Sequence, residues 1–324
     1  MTITQRIMFK EEFSRFTMSV KRIASLLPSA TELLYELGAE DLLYGVTHEC
    51  KYPDDAKTKP RVINSVIDSD SLSSKEIDTK TCQLLSEGKE IFTLNEKNMI
   101  EANPDLIISQ DTCEACAAHN NHVTQAIKIL PKKPTVYSMD PHNLQEIVET
   151  VNNIGKIITR EDKAKEITEF LNKRISVIRD TKYKVNPKVL AIEWIEPFFT
   201  AGHWIPEMIM YAGGENMISK VGEYSRKLTM DEIKKSDPDM IIFMPCGFDT
   251  FRTILEYNKI LKDNEEWKHL RATKSNNIFA VDANSYFSKP SIRAITGLEI
   301  LAKIIQAENF SNLKVPENSF VRIE

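Results

Sequence analysis

Between Ser109 and His122 the chain reads SQDTCEACAAHNNH, so two cysteines, two histidines and two acids fall within a short run. Thiolates spaced as Cys113 and Cys116 bind soft metals such as zinc, or cycle as a redox dithiol. A structural zinc ribbon normally shows a second pair of the same spacing, which this chain lacks. Four ligands can still be assembled from Cys50, Cys113, Cys116, Cys246 or a histidine. Three readings therefore stay open for the segment: zinc or another thiolate-bound metal, a redox dithiol, or pocket lining with reactive thiols.

Other residues with chemical potential occur in small groups. His48 and Glu49 precede Cys50; Glu193 adjoins Trp194; His203 and Trp204 follow Gly202; Phe248 follows Cys246 and Gly247. A neutral imidazole can hydrogen-bond a ligand or approach the axial position of a metal. Indole and phenyl faces suit a flat ligand, although aromatic residues at strand ends serve equally well as core. Glu49 and Glu193 can accept hydrogen bonds from amides.

These groups share one context: each follows an apolar, β-branched run. Such runs occupy residues 23–27, 42–47, 105–110, 135–139, 189–194, 239–244 and 278–282, with helix-period segments between them. Continuous apolar strands separated by helices predict an α/β protein built on parallel sheets. In such sheets ligands bind beyond the carboxyl ends of the strands. That rule places Pro28, Ser29, His48, Glu49, Cys50, Asp111, Cys113, Cys116, Glu193, Trp194, His203, Trp204, Cys246, Phe248, Asp282 and Tyr286 around a common cleft. The mid-helix Cys82 reads as core.

Two further patterns predict two lobes. Leu94-x4-Met99-x4-Pro104-Asp105 before one apolar strand returns as Leu228-x4-Ile233-x4-Pro238-Asp239 before another, each followed by cysteine. Between the copies, Leu144, Ile147, Val148, Val151, Ile154 and Ile158 form a helical stripe; Thr159 to Asp162 can cap a new start, after which Ala164, Ile167, Phe170, Leu171, Ile175 and Ile178 continue on helical spacing, a helix over about 160–180. The expected organisation is an extension at 1–20, a lobe at 21–143, a connecting helical backbone at 144–187 dominated by one long rigid helix, and a lobe at 188–324.

Composition narrows the function. A hydrophobic share of 42% with 27% charged residues is that of a globular protein, and a net charge of −5 offers no basic field for nucleic acid. No apolar run approaches the roughly 18 residues of a membrane helix, so membrane insertion is not expected. The first twenty residues lack the apolar core of a secretory signal, and the odd cysteine count does not suggest a disulfide framework; cytoplasmic placement is the expectation. Nucleophile elbows, phosphate loops and dinucleotide fingerprints are missing.

The motifs in their order resemble a known family. RIASLLPSATELLYELGAEDLLYGVTHECKYP, PDLIISQ, EPFFTAGHWIPEMIMYAGGENMI and VDANSYFSKPSIR are similar to the corresponding units of substrate-binding proteins from ABC importers for cobalamin and iron-siderophores, over residues 21 to 306. The nearest subgroup in these motifs is labelled cobalamin-binding. The resemblance implies a rigid class III binding protein that holds a corrinoid between its lobes for uptake, transport or intracellular handling, with an ABC permease as partner. A thiolate from Cys113 or Cys116 would then stand near cobalt. The alternative is a thiol- or metal-dependent enzyme that reuses the scaffold.

Overall fold

The computed structural model describes residues 20–110 and 120–324. Of the expected N-terminal extension, all but Val20 lies outside the described residues, as do Asp111, Cys113 and Cys116.

Twelve strands form two sheets among the described residues. The first contains β1 (Ile23–Ser25), β2 (Leu43–Thr47), β3 (Arg61–Ser65), β4 (Phe92–Leu94), β5 (Leu106–Gln110) and β6 (Thr135–Met139), in the spatial order β4-β3-β2-β1-β5-β6. The second contains β7 (Lys188–Trp194), β8 (Phe199–Thr200), β9 (Glu215–Asn216), β10 (Met240–Phe243), β11 (Ile278–Val281) and β12 (Phe320–Arg322). Its order is β12-β11-β10-β7-β8, with β9 also on β7. The fold is α/β with two lobes, as expected, but the sheets are mixed rather than purely parallel. Strands β4, β8 and β12 run antiparallel to their neighbours. All three are at most three residues long and lie at sheet edges, where a short reversed strand covers exposed backbone groups. The central strands β5, β10 and β11 are buried along their whole length, which is why they read as unbroken apolar runs.

The helices are α1 (Pro28–Glu36), α2 (Ser74–Ser86), α3 (Glu96–Ala102), α4 (Asn120–Ile129), α5 (Leu144–Ile157), α6 (Glu161–Arg179), α7 (Ile205–Tyr211), α8 (Met230–Ser236), α9 (Thr250–Ile260), α10 (Glu265–Lys268), α11 (Arg271–Lys274), α12 (Ala283–Tyr286) and α13 (Ala294–Ile305). The repeated motif folds alike in both lobes. Asn95 caps α3 and Thr229 caps α8, each side chain accepting the backbone N–H three residues on. Each helix stops on a left-handed residue, Asn103 at φ 38° and Asp237 at φ 40°. The following Pro-Asp then ties two strands together. Asp105 Oδ2 accepts from the Lys21 and Arg22 amides at 3.0 and 3.2 Å, beside β1 and β5. Asp239 Oδ2 accepts from the Lys188 amide at 2.8 Å, beside β7 and β10.

The connection contains the expected long helix, preceded by a shorter one. It is a pair, α5 and α6, turned at Thr159 with φ 59°. Gly155 permits the tight approach, since a Cβ there would lie 2.4 Å from the Ala164 Cβ. Helix α6 spans 19 residues, about 28 Å, and packs against α13. There Arg174 binds both Glu299 carboxylate oxygens at 2.6 and 2.8 Å. A single apolar cluster runs from Ile23 through Ile147 and Ile175 to Leu301, so the lobes share core with the connecting helices. Arg293, which opens α13, also reaches across the lobes to Glu32 on α1 at 2.7 and 3.0 Å.

Candidate functional site

The carboxyl ends of β1, β2, β7 and β10 converge on an open cleft of about 390 Å³ between the sheets. This size lies within the range of small-molecule sites. The first lobe contributes Pro28 and Ser29 at the start of α1, and His48 and Glu49 after β2. The second contributes Glu193 and Trp194 at the end of β7, and Cys246 and Phe248 after β10.

His48 lies flat enough on Phe92 for a tilted ring contact at 5.9 Å, and its Nε2 is 3.4 Å from Glu49 Oε1. Burial lowers the imidazole pKa from its ordinary value, with Glu49 opposing the shift. The ring is therefore neutral at pH 7. Glu193 shows the opposite effect: burial pushes its carboxyl pKa up, against hydrogen bonds from Ser225 and from the Gly202 amide, the latter at 3.3 Å. The Cys246 thiol is half-buried at the same wall.

One end of the cleft is strapped by contacts between the lobes. Arg252 on α9 stacks on Phe248 at 3.7 Å and donates from Nη2 to the carbonyls of Ser69 and Leu72, at 2.7 and 2.8 Å. Trp194 Nε1 donates to the Ser74 carbonyl at 3.2 Å, and Lys75 pairs with Glu196 at 3.1 Å. Arg252 and Phe92 are cleft residues that sequence reasoning missed. Arg252 reads locally as one more charge on a helix face, and Phe92 belongs to a strand too short for periodicity. The Pro-Cys-Gly-Phe turn just before α9 is the nearest signal.

Several expected site residues lie elsewhere. Cys50 is 3% exposed and belongs to the shared core; its Sγ contacts Thr31 Oγ1 at 3.1 Å and Thr47 Oγ1 at 3.4 Å. Burial raises its thiol pKa, so the expected four-thiolate site loses one member. Asp282 caps α12 by accepting the Ser285 amide at 3.0 Å, and Tyr286 lies near Arg293, 5.7 Å from its guanidinium; neither lines the cleft. Cys82 is exposed rather than core, because α2 buries only Ser74. Among the described residues no group of three or more His, Cys, Asp or Glu side chains converges as a metal site.

Trp204 and His203 line a smaller chamber of about 50 Å³ that shares Gln110, Glu193, Cys246, Ser288 and Pro290 with the cleft. Trp204 is therefore not on the open wall: it is 4% exposed. The preceding turn forces it inward. A Cβ on Gly202 would meet the Glu223 carbonyl at 2.5 Å, and His203 holds a left-handed φ of 54°. Its N–H donates to that same carbonyl at 2.7 Å.

Comparison with known proteins places this architecture. The family described as "Periplasmic binding protein" matches residues 23–285. The High-affinity heme uptake system protein IsdE of Staphylococcus aureus is 26% identical over 151 residues, covering 45% of this chain and 51% of that protein. The chain thus matches about half the length of such curated relatives. In structure it resembles the periplasmic vitamin B12 binding protein BtuF of Vibrio cholerae, with a TM-score of 0.66 and 18% identity over 90% of this chain and 98% of that one. It also resembles a periplasmic heme binding protein from Pseudomonas aeruginosa, with a TM-score of 0.66 and 16% identity over 88% and 92%. At these identities the structural likeness carries the fold alone. The family match and the uptake-system relatives overturn the expected cytoplasmic placement, since proteins of this family work outside the cytoplasm. Among the described residues no helix is long and apolar enough to cross a membrane.

Proposed function

The chain belongs to the periplasmic binding protein family, and we propose that it is the substrate receptor of an ABC importer and takes a corrinoid between its lobes. The observation that carries the choice of ligand is the charge on the cleft wall. Among the described residues four acidic side chains, Glu49, Asp70, Asp78 and the buried Glu193, face the space with three basic ones, Lys51, Arg252 and Lys289. Arg252 is engaged by main-chain carbonyls, Lys289 donates to Asn284 Oδ1 at 3.0 Å, and Lys51 is 3.9 Å from Asp70. Such a wall suits the neutral carboxamide arms of a corrinoid better than the two carboxylates of a haem.

Trp194 supplies an apolar face, and neutral His48 can accept a hydrogen bond or approach a metal centre. A permease is the partner this role requires. The enzyme alternative finds no support, because the relatives are named as binding and uptake proteins. Incubation with cyanocobalamin followed by desalting tests the reading: colour should elute with the protein at one equivalent, and a colourless protein fraction would refute it.

A further inference from the structure

The small chamber behind the cleft has no role in the account so far, yet its largely apolar walls include polar groups that are incompletely paired. Trp204, although nine-tenths buried, has no hydrogen-bond partner for its indole N–H among the described residues, and His203 Nδ1 is likewise buried without one there. A buried donor left unpaired is costly, so such an atom beside a chamber marks where an acceptor belongs. Glu193 lies on the boundary between chamber and cleft, with Oε2 held by the Gly202 amide. Its carboxyl can accept from an N–H. Both residues line one space of about 50 Å³, enough for a group of a few heavy atoms.

We propose that this chamber is a socket for one primary carboxamide arm of the bound ligand, with Trp204 Nε1–H donating to the amide oxygen and Glu193 accepting from the amide nitrogen. The assignment rests on the corrinoid reading above and sharpens it. A carboxylate arm of the same size would bring a second acidic group against the buried Glu193, and among the described residues the chamber walls contain no lysine or arginine to offset it. Entry runs from the cleft past Glu193 and Cys246, which line both spaces. His203, whose pKa burial lowers, stays neutral beside the arm. The left-handed His203 and the Gly202 that no side chain can replace then have a purpose: they hold the indole on the chamber wall.

The test compares cyanocobalamin with its monocarboxylic acids, in which single carboxamides are hydrolysed, on unaltered protein and on Trp204→Phe and Glu193→Gln variants. For unaltered protein, one acid isomer should bind about tenfold or more weaker than cyanocobalamin while the others stay close to it. Glu193→Gln should narrow that gap by admitting the acid, and Trp204→Phe should weaken cyanocobalamin about tenfold while keeping the ring. Equal binding of all acid isomers to unaltered protein shows a chamber that holds only solvent and overturns the socket. That comparison needs no variant to fold. Binding of none of these corrinoids by unaltered protein overturns the corrinoid reading itself, and the socket with it.

Discussion

The amide of Ser74, first residue of α2 in one lobe, donates to Glu256 Oε1 of α9 in the other at 2.5 Å. A helix start leaves its first N–H groups without partners, and a carboxylate there is favoured by the helix dipole as well as by the bond. Ser73 and Glu76 form a local capping box here, and the remaining Ser74 amide is satisfied from across the cleft. Arg252, one turn earlier on α9, fixes the Ser69 and Leu72 carbonyls that lead into the same helix. Together they make the 69–75 segment a strap between the lobes.

Removing the Glu256 carboxylate should therefore loosen the strap. Glu256→Ala should cost about 1–3 kcal/mol, because Glu256 is buried and its loss strands the Ser74 amide. Hydrogen exchange at residues 69–76 should accelerate while that of β10 stays slow. Unchanged exchange in the segment would mean that the cross-lobe bonds do not hold it.

The opposite junction is ionic. Glu32 is 3% exposed and binds Arg293 through both carboxylate oxygens, with the Tyr52 ring 4.2 Å from the guanidinium. Glu32→Ala leaves a largely buried cation unpaired and should cost about 3–5 kcal/mol in denaturant unfolding. Replacing both partners, as Glu32→Gln with Arg293→Met, should recover part of that loss. A double variant no better than the single would place the cost in packing rather than charge.

Stability should fall on mild acidification. His48 and His203 both have folded-state pKa values below the ordinary 6.5, chiefly through burial. Each folded imidazole therefore resists a proton that the unfolded one accepts. The stability they contribute is fully present above 6.5 and is lost as pH falls from there through the folded values. Glu193 has the reverse sign: its pKa is raised, so its contribution is present below about 4.5 and lost as pH rises through the folded value. Melting temperatures between pH 7.5 and 5.5 should decline, and His48→Asn should flatten the slope. A slope identical in that variant would remove His48 from the account.

Much of the scaffold was legible because its signals are local. All seven apolar runs became strands, and the repeated Leu-x4-Met/Ile-x4-Pro-Asp motif became the same capped helix and strand in each lobe. The stripes from Leu144 and Ala164 became α5 and α6. The break between them was legible as a new helix start at Thr159 to Asp162, and the turn falls at Thr159; Gly155 serves the helix contact. Strands β3 and β4 escaped, being short and partly polar.

The site was legible where a strand end decides direction and illegible where a distant partner does. Glu193 and Trp194 follow from β7 alone. Arg252 requires carbonyls 180 and 183 residues away, and Trp204 turns inward where the Glu223 carbonyl closes over Gly202. Asp282 reads equally as a cleft carboxylate or a helix cap, and it is the cap.

The most direct test of the central claim is a fluorescence titration of the intact chain with cyanocobalamin and with hemin under identical conditions, followed by competition between them. Because each cation lining the cleft among the described residues is already engaged within the chain, the account predicts one site that binds cyanocobalamin about tenfold or more tightly than hemin. Tighter binding of hemin, with cyanocobalamin unable to displace it, would contradict the account.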